Sequence, residues 1–309
     1  MSKTSYQIAK GLAGRRLDRV LQIFTGQSRK KAKFLLDHGR VSVNGRKVVI
    51  ASWEMKSGDH IEVLPEETET VDVQPDAAKY FLKVVREDAD LLVVEKDAGV
   101  PCEPTTFSTK PTIVSIINAY LKRRYPHLRH HYVGLVHRLD QDTSGLMVYT
   151  KTKEGNKIAD QFKNHTIVRK YQAIVEGRIE RDQGTIEGFL KKSALLKGGK
   201  KVAVSTEAAG QKAITHFRVL ERYAGATLVE IKLNTGRTHQ IRVHMAGLGH
   251  PIVGDRIYGD PRSKIKFGRQ ALHAGFLGFR HPITGNKMEF QAELPKDMRK
   301  LVDKLRLHS

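Results

Sequence analysis

The sequence predicts an α+β protein in two parts, a small α/β domain at the N-terminus and a larger one built on a mixed, largely antiparallel central sheet with flanking helices. Three observations carry this. Charge divides the chain: residues 1–64 hold 13 basic and 5 acidic side chains, residues 77–309 hold 41 and 23, and PEETETVDVQPD between them holds five acids, two prolines and no base. Such a stretch has little apolar surface to bury and is expected to be a linker. Strand-like segments in the second part are too irregularly spaced for βαβ repeats, and neither GxGxxG nor GxxxxGK[ST] occurs, which favours an antiparallel arrangement. The expected boundaries are a tail over 1–13, a first domain over 14–64, the linker over 65–76 and a second domain over 77–309.

In order along the chain, GRRLDRVLQIF places Leu17, Val20, Leu21 and Phe24 at spacings of three and four, the period of an amphipathic helix. Ser28 is expected to cap a second helix, SRKKAKFLLDHG, that ends at Gly39 and turns Ala32, Leu35 and Leu36 inward. Arg29, Lys30, Lys31 and Lys33 crowd its first turns, where cations are disfavoured by roughly 0.3–1 kcal/mol each. A nucleic-acid backbone supplies an external reason for them; a solvated basic face is the plainer explanation. RVSVNGRKV then alternates about an Asn44-Gly45 hairpin turn, and DHIEVLP reads as a further strand.

The second domain opens with FLKVV and LLVVE around a turn at Asp88 to Asp90, followed by a helix in PTIVSIINAYLKRR with Ile113, Val114, Ile117, Tyr120 and Leu121 on one face. YVGLV, LMVYT, KYQAIVEG, ITHFRVLER and ATLVEIKLN read as strands, with a short helix in EGNKIADQFKNH. LLKGGKK, residues 195–201, reads as a loop tip.

Composition excludes several classes of function. The chain carries 54 Lys and Arg against 33 Asp and Glu, a net charge of +21, which implies a polyanionic partner because each phosphate contact releases condensed counterions. No apolar run approaches the ~20 residues of a membrane-spanning helix, and the N-terminus lacks the apolar core of a secretory signal. A cytoplasmic protein is expected. One cysteine, Cys102, forbids an intrachain disulfide and multi-thiolate metal sites. No metal and no cofactor are expected.

Chemistry concentrates where charged and small polar residues interrupt apolar strands. In VGLVHRLDQDTSGLMVYT a strand ending at Val136 delivers His137, Arg138 and Asp140 into a Thr143-Ser144-Gly145 turn. A carboxylate at such a junction is held rigidly, as a nucleophile or base requires, though an Asp alone there could simply close an Asx-turn. Tyr171 opens the strand of VRKYQAIVEG, a position more often given to core packing. In LNTGRTHQIRVHMAGLGHPIVGD, Thr238 is expected to cap a helix, and Arg237, His239, Arg242 and His244 gather as donors suited to an anion. His273, inside ALHAGFLGFRHPITG, reads as a satisfied core histidine.

Two helices with a basic face followed by an RVSVNG hairpin resemble the S4 RNA-binding domain, which implies a module gripping structured RNA through Arg29, Lys30, Lys31 and Lys33. HRLDQDTSGL, RKYQAIVEG, NTGRTHQIRVHMAGLGHPIVGD and LHAGFLGFRHPITG together resemble the ordered motifs of the RluA-type pseudouridine synthases over residues 80–300. That resemblance implies a cofactor-free isomerase acting on structured RNA, foremost large-subunit ribosomal RNA, as a monomer away from membranes. It also implies that Asp140 is the catalytic aspartate, Tyr171 the active-site tyrosine, Arg242 the arginine paired with the aspartate, and Arg138 the side chain entering the gap left by an extruded base; Arg237 joins the RNA contacts. Many members carry Lys-Pro-Ala-Gly and then Val-His-Pro, where this chain has Lys96-Asp97-Ala98-Gly99 and Cys102-Glu103-Pro104. The competing readings are an inactive S4-type RNA-binding or ribosome-assembly protein, a tRNA-directed synthase, and a carboxylate-pair glycosidase, for which no second acid shares the setting of Asp140.

Overall fold

The computed structural model describes residues 4–37, 39–48, 50–64, 75–103, 111–196 and 199–307, without the side chains at 30, 37, 75, 76, 192–196 and 199–201. Most of the acidic stretch expected to be a linker, residues 65–74, lies outside the described residues. The chain forms two compact units, residues 1–72 and 73–309.

In the first unit, α1 (Leu17–Thr25) and α2 (Arg29–Asp37) pack on a sheet of β1 (Thr4–Gln7), β2 (Val41–Val43), β3 (Arg46–Lys47) and β4 (His60–Val63), in the order β1-β4-β2-β3. Leu17, Val20, Leu21, Ala32, Leu35, Leu36, Val41, Val43 and Ile61 form its core. Gly26 ends α1 in the left-handed region at φ 65°, and the Ser28 hydroxyl accepts from the amide of Lys31 at 3.3 Å, starting α2. Asn44 and Gly45, at φ 50° and 76°, close the β2–β3 hairpin as their sequence predicts. The expected tail needs correction. Thr4–Gln7 pair antiparallel with β4, Tyr6 opposite Ile61, and the Tyr6 ring stacks on Phe24 at 4.7 Å. Four mostly polar residues give no alternation to read, so the open edge of β4 makes this strand, not its own pattern.

The second unit holds an 11-stranded sheet. Its strands are β5 (Lys83–Glu87), β6 (Leu91–Lys96), β7 (Gly134–Leu135), β8 (Ser144–Thr150), β9 (Val168–Glu176), β10 (Gln183–Leu196), β11 (Gly199–Ser205), β12 (Gln211–Arg222), β13 (Ala226–Leu233), β14 (Leu272–Arg280) and β15 (Lys287–Gln291). The main path runs β11-β10-β12-β13-β9-β14-β8-β6-β5, with β15 beside β14 and β7 beside β8. Every pairing is antiparallel except β14 with β8, so the mixed, mostly antiparallel α+β architecture is present. Helices α3 (Ile113–Arg124), α4 (Ile158–Lys163), α5 (Gln240–Gly247) and α6 (Lys296–Arg306) flank it.

Strand periodicity splits the core in two. Leu92, Val94, Met147 and Tyr149 bury on one face of β6 and β8 with α3 and α6, whereas Leu91, Val93, Leu146 and Val148 bury on the other with Ile158 of α4. A strand covered on both faces reads as a continuous apolar run, which is what LLVV and LMVY are. Where β8 meets β14, Gly145 sits at φ 124°, and a Cβ there would fall 2.3 Å from the carbonyl oxygen of Ala274. Only glycine lets the two backbones approach so closely, and this fixes the start of β8 just after Asp140.

Within the loop tip expected at 195–201, residues 195–196 and 199–201 extend two paired strands, with Leu195 opposite Lys200 and Leu196 opposite Gly199; residues 197 and 198 lie outside the described residues. Lysines and glycines concealed β10 and β11, which are held by backbone pairing to β12 and to each other.

Candidate active site

The loop before β8 is fastened at several points, and these fix Asp140. The imidazole of His137 accepts from the amide of Val148 at 2.9 Å and stacks on Phe162 at 4.6 Å. Burial lowers its pKa to about 3, so that nitrogen remains an acceptor. The fully buried ammonium of Lys96 donates to the carbonyls of Asp97, Val100 and Gln141, each at 2.8 Å. Burial lowers its pKa to about 8, against the opposing pull of Cys102, Asp142, Asp140 and Asp97. Gly99 donates its amide to the same Gln141 carbonyl at 2.9 Å. The thiol of Cys102 donates to the carbonyl of Leu139 at 3.2 Å. Both chain neighbours of Asp140 are therefore tied by their carbonyls. Its own backbone carbonyl accepts from the amide of Thr143 at 3.1 Å.

The carboxylate does not close that turn. Oδ2 accepts from Nη1 of Arg242 at 2.9 Å, and Oδ1 faces Nε2 of His239 at 3.8 Å. Arg242 is 6% exposed and is itself clamped: Nε and Nη2 donate to the two oxygens of Asp255 at 2.6 and 2.8 Å. Asp255 is wholly buried and also accepts from the amides of Ile257 and Tyr258. Burial alone would raise the pKa of Asp255, but the guanidinium and the two amides outweigh it and leave a net lowering. Burial likewise opposes the charge on Arg242, and its two carboxylates raise its pKa in spite of this.

The anion expected among these donors is thus the protein's own pair of carboxylates. His244 turns away and bonds the Thr215 hydroxyl at 2.9 Å. Nor does Thr238 cap α5: His239 occupies the cap position at φ 54°, without a side-chain cap bond. Gln240 does the work inside, its Oε1 accepting from the Arg237 amide at 2.9 Å and the Thr235 hydroxyl at 2.8 Å. An amide side chain satisfies several partners at once, so a single hydroxyl cap is unnecessary.

Asp140, Tyr171 and Arg242 line one small cleft of about 80 Å³, with Arg138, Arg169, Arg237 and His239 around it. Tyr171 is 7% exposed at the β9 position opposite Ile231, and burial raises its pKa against the pull of Arg169, so it stays a phenol. The exposed Arg138 pairs with the exposed Glu103 at 2.7 Å, one of the residues that departs from the family motif; such surface pairs are weak and easily exchanged. Arg237 donates to the carbonyl of Lys212 at 3.1 Å. His273 is fully buried and bonds the Ser144 hydroxyl at 2.9 Å. A larger cavity of about 460 Å³ lies at the far end of β8, near Lys151, but of its two acids Glu87 is taken up by Lys151, Tyr120 and Tyr125 and Asp88 by the amides of Asp90 and Leu91, and none of the predicted catalytic residues lines it.

In the first unit Arg29 lies along α2 and bonds Asp18 at 3.2 Å, so this cation has an internal partner. Lys31 lies over the Phe34 ring at 5.2 Å, Lys33 is exposed, and the side chain of Lys30 is outside the described residues. No cluster of metal-ligating side chains occurs among the described residues.

Sequence reasoning gave no role to Asp255, Lys96, Tyr258 or Arg169. Asp255 had a readable signal, as the only acid in NTGRTHQIRVHMAGLGHPIVGD. Arg169 had none, because what distinguishes it is tertiary. It lies over Phe162 at 5.7 Å, its Nε is buried without a hydrogen-bond partner among the described residues, and a Cβ at Gly236 would stand 2.7 Å from its Nη1.

The model of the RNA pseudouridylate synthase family matches residues 90–247, and that of the S4 domain matches residues 15–61. An uncharacterized RNA pseudouridine synthase of Bacillus subtilis, YlyB, is 41% identical over 280 residues, 90% of each chain. The ribosomal large subunit pseudouridine synthase D of Zymomonas mobilis is 37% identical over 312 residues, 95% of each chain. Among solved structures, human RNA pseudouridylate synthase domain containing 4 superposes with a TM-score of 0.61 at 25% identity, over 72% of this chain and 93% of that one.

Proposed function

The chain belongs to the RNA pseudouridylate synthase family and carries an S4 domain, and we propose that it isomerises uridines of large-subunit ribosomal RNA with Asp140 as the attacking carboxylate. The reaction breaks the N1–C1′ bond, turns the uracil and joins C5 to C1′, with no oxidation and no group donor. Its demands match the cleft. One carboxylate oxygen must be held and the other left to reach the nucleoside: Arg242 fixes Oδ2, and among the described residues Oδ1 has no donor within hydrogen-bond reach. Because Arg242 is locked by Asp255 at two points, it cannot swing off as substrate enters, and the carboxylate is preorganised.

The target atoms are shielded in stacked RNA, so the nucleotide must turn outward at a cost of a few kcal/mol. Basic groups recover that cost through the backbone. Arg138 leaves Glu103 and fills the vacated space, Arg237 and Arg169 meet phosphate at the rim, and Tyr171 stacks on the uracil. Arg29, Lys30, Lys31 and Lys33 of the S4 domain extend the grip. The net charge of +21 serves this rather than the chemistry. A monomer in the cytoplasm suffices for all of it; among the described residues no helix is long and apolar enough to cross a membrane.

The observation that carries the proposal is the Asp140–Arg242–Asp255 chain opening into a cleft that Tyr171 lines. The test is incubation with large-subunit ribosomal RNA, digestion to nucleosides and separation. Pseudouridine of unchanged mass is expected from the native protein, and none from Asp140→Asn with RNA affinity kept within a few-fold. Free uracil would instead indicate a hydrolase, product in transfer RNA alone would redirect the substrate, and retained turnover in the variant would refute the role of Asp140.

A further inference from the structure

A second ionisable group faces the reacting carboxylate, and the steps above leave it idle. His239 stands at the head of α5 with φ 54° and ψ 18°, a left-handed conformation that a non-glycine residue keeps only where its surroundings impose it. Its surroundings hold it there. Nδ1 is 3.0 Å from the Tyr258 hydroxyl, the two rings pack edge-on at 5.6 Å, and the amide of Val202 donates to that hydroxyl at 2.7 Å. One imidazole nitrogen is thereby anchored. The other, Nε2, looks across the cleft and stops 3.8 Å from Oδ1 of Asp140, too far for a hydrogen bond. It is therefore available to a third party between them. Asp140 and Arg138 face the ring from the loop before β8, Arg242 from α5, and Asp255 and Tyr258 from the segment after α5. Burial and the cations outweigh the two acids, so the ring titrates below an ordinary histidine and is neutral at pH 7.

The isomerisation requires such a group. Once C5 is joined to C1′, its hydrogen must depart as a proton, while N1, released from the sugar, must gain one. Tyr171 is poorly suited to accept it, because burial keeps the phenol protonated. We propose that Nε2 of His239 takes the C5 proton and returns a proton to N1. The C5–H bonding pair becomes the C5=C6 bond, the N1=C6 π pair withdraws onto N1, and the proton forms the second N–H of an imidazolium beside Asp140. That N–H bond then breaks as N1 takes the proton, which restores neutral imidazole with no net change in protons or electrons. A carboxylate at this range favours the transient cation.

This inference rests on the pseudouridine reading and is tested so that the two can fail separately. Single-turnover rates are measured on RNA with hydrogen or deuterium at C5 of the uridine, for the native protein, His239→Asn and His239→Gly. Asparagine and glycine both accept the left-handed backbone, and glycine leaves room for added imidazole. His239→Asn should slow turnover about a hundredfold or more, with a larger deuterium effect than the native protein shows. Imidazole should restore part of the His239→Gly rate. Unchanged rates, or a loss with the native deuterium effect and no imidazole rescue, would overturn this role while leaving the function intact. Absence of pseudouridine from the native protein would overturn the function itself.

Discussion

Each unit of the molecule contains an arginine–carboxylate cluster, and the two are inverted copies of one chemical idea. In the first, Asp18 is 2% exposed and receives Arg16 and Arg29, which are 47% and 58% exposed. In the second the arginine is buried: Arg242 is 6% exposed and holds one hidden acid, Asp255, and one reachable acid, Asp140, which is 23% exposed. The buried member of each cluster is fixed, and the exposed member is what the protein can present. The first unit presents guanidinium groups, suited to phosphate. The second presents a carboxylate oxygen, suited to carbon.

The same change at the two buried acids should have opposite consequences. Asp255→Asn leaves Arg242 buried with half its charge partners, and losing one member of a buried pair costs about 3–5 kcal/mol. Denaturant unfolding of the second unit should shift by that order, and turnover should collapse because Oδ2 of Asp140 loses its fixed donor. Native-like turnover would show that Arg242 holds its place without the clamp.

An effect of comparable size separates the units by pH. Burial lowers the pKa of His137 to about 3 and that of His273 to about 4. Both values lie below the unfolded value near 6.5, so below that pH the unfolded chain takes up protons that the folded chain refuses. Stability is whole above pH 6.5 and is lost as pH falls toward 4 and then 3, by about 1.4 kcal/mol per pH unit for each histidine. The first unit buries no histidine among its described residues. Unfolding followed from pH 7 to 4.5 should therefore show the second transition falling with this slope and the first lagging behind.

Legibility in the sequence follows the same division. The first unit's helices, their caps and the Asn44-Gly45 turn are local, so spacing and turn chemistry reveal them. Asp140 and Arg242 stand 102 residues apart, and no periodicity joins them; only the resemblance of the motifs brought them together. Asp255 escaped because its partner lies 13 residues back, on the far side of a helix end, and Lys96 because three carbonyls leave no trace in side-chain pattern. The Thr238 cap failed for a related reason: Gln240 reaches Ile214 and Thr215 on a neighbouring strand, and tertiary partners outweighed a local rule. The strand Thr4–Gln7 and the β10–β11 hairpin were hidden because backbone pairing, which any side chain permits, defines them.

The smallest effect is expected at the other buried acid. Asp18 has its pKa lowered, first by its bond with Arg16, yet both of its arginines can hydrate fully when it is lost. Asp18→Asn keeps the side chain's shape, so the first unit should unfold only slightly earlier than native and turnover on saturating RNA should be unchanged. What should move is binding. Removing one negative charge releases Arg16 and Arg29 toward solvent, and each additional phosphate contact steepens the fall of affinity with salt by about one unit of the log–log slope. Titration of RNA across a salt series should therefore give tighter binding at low salt and a steeper slope than native. A slope that does not change would mean that this face of α2 and the start of α1 does not meet the RNA backbone, and that the inversion between the two clusters is a coincidence of packing.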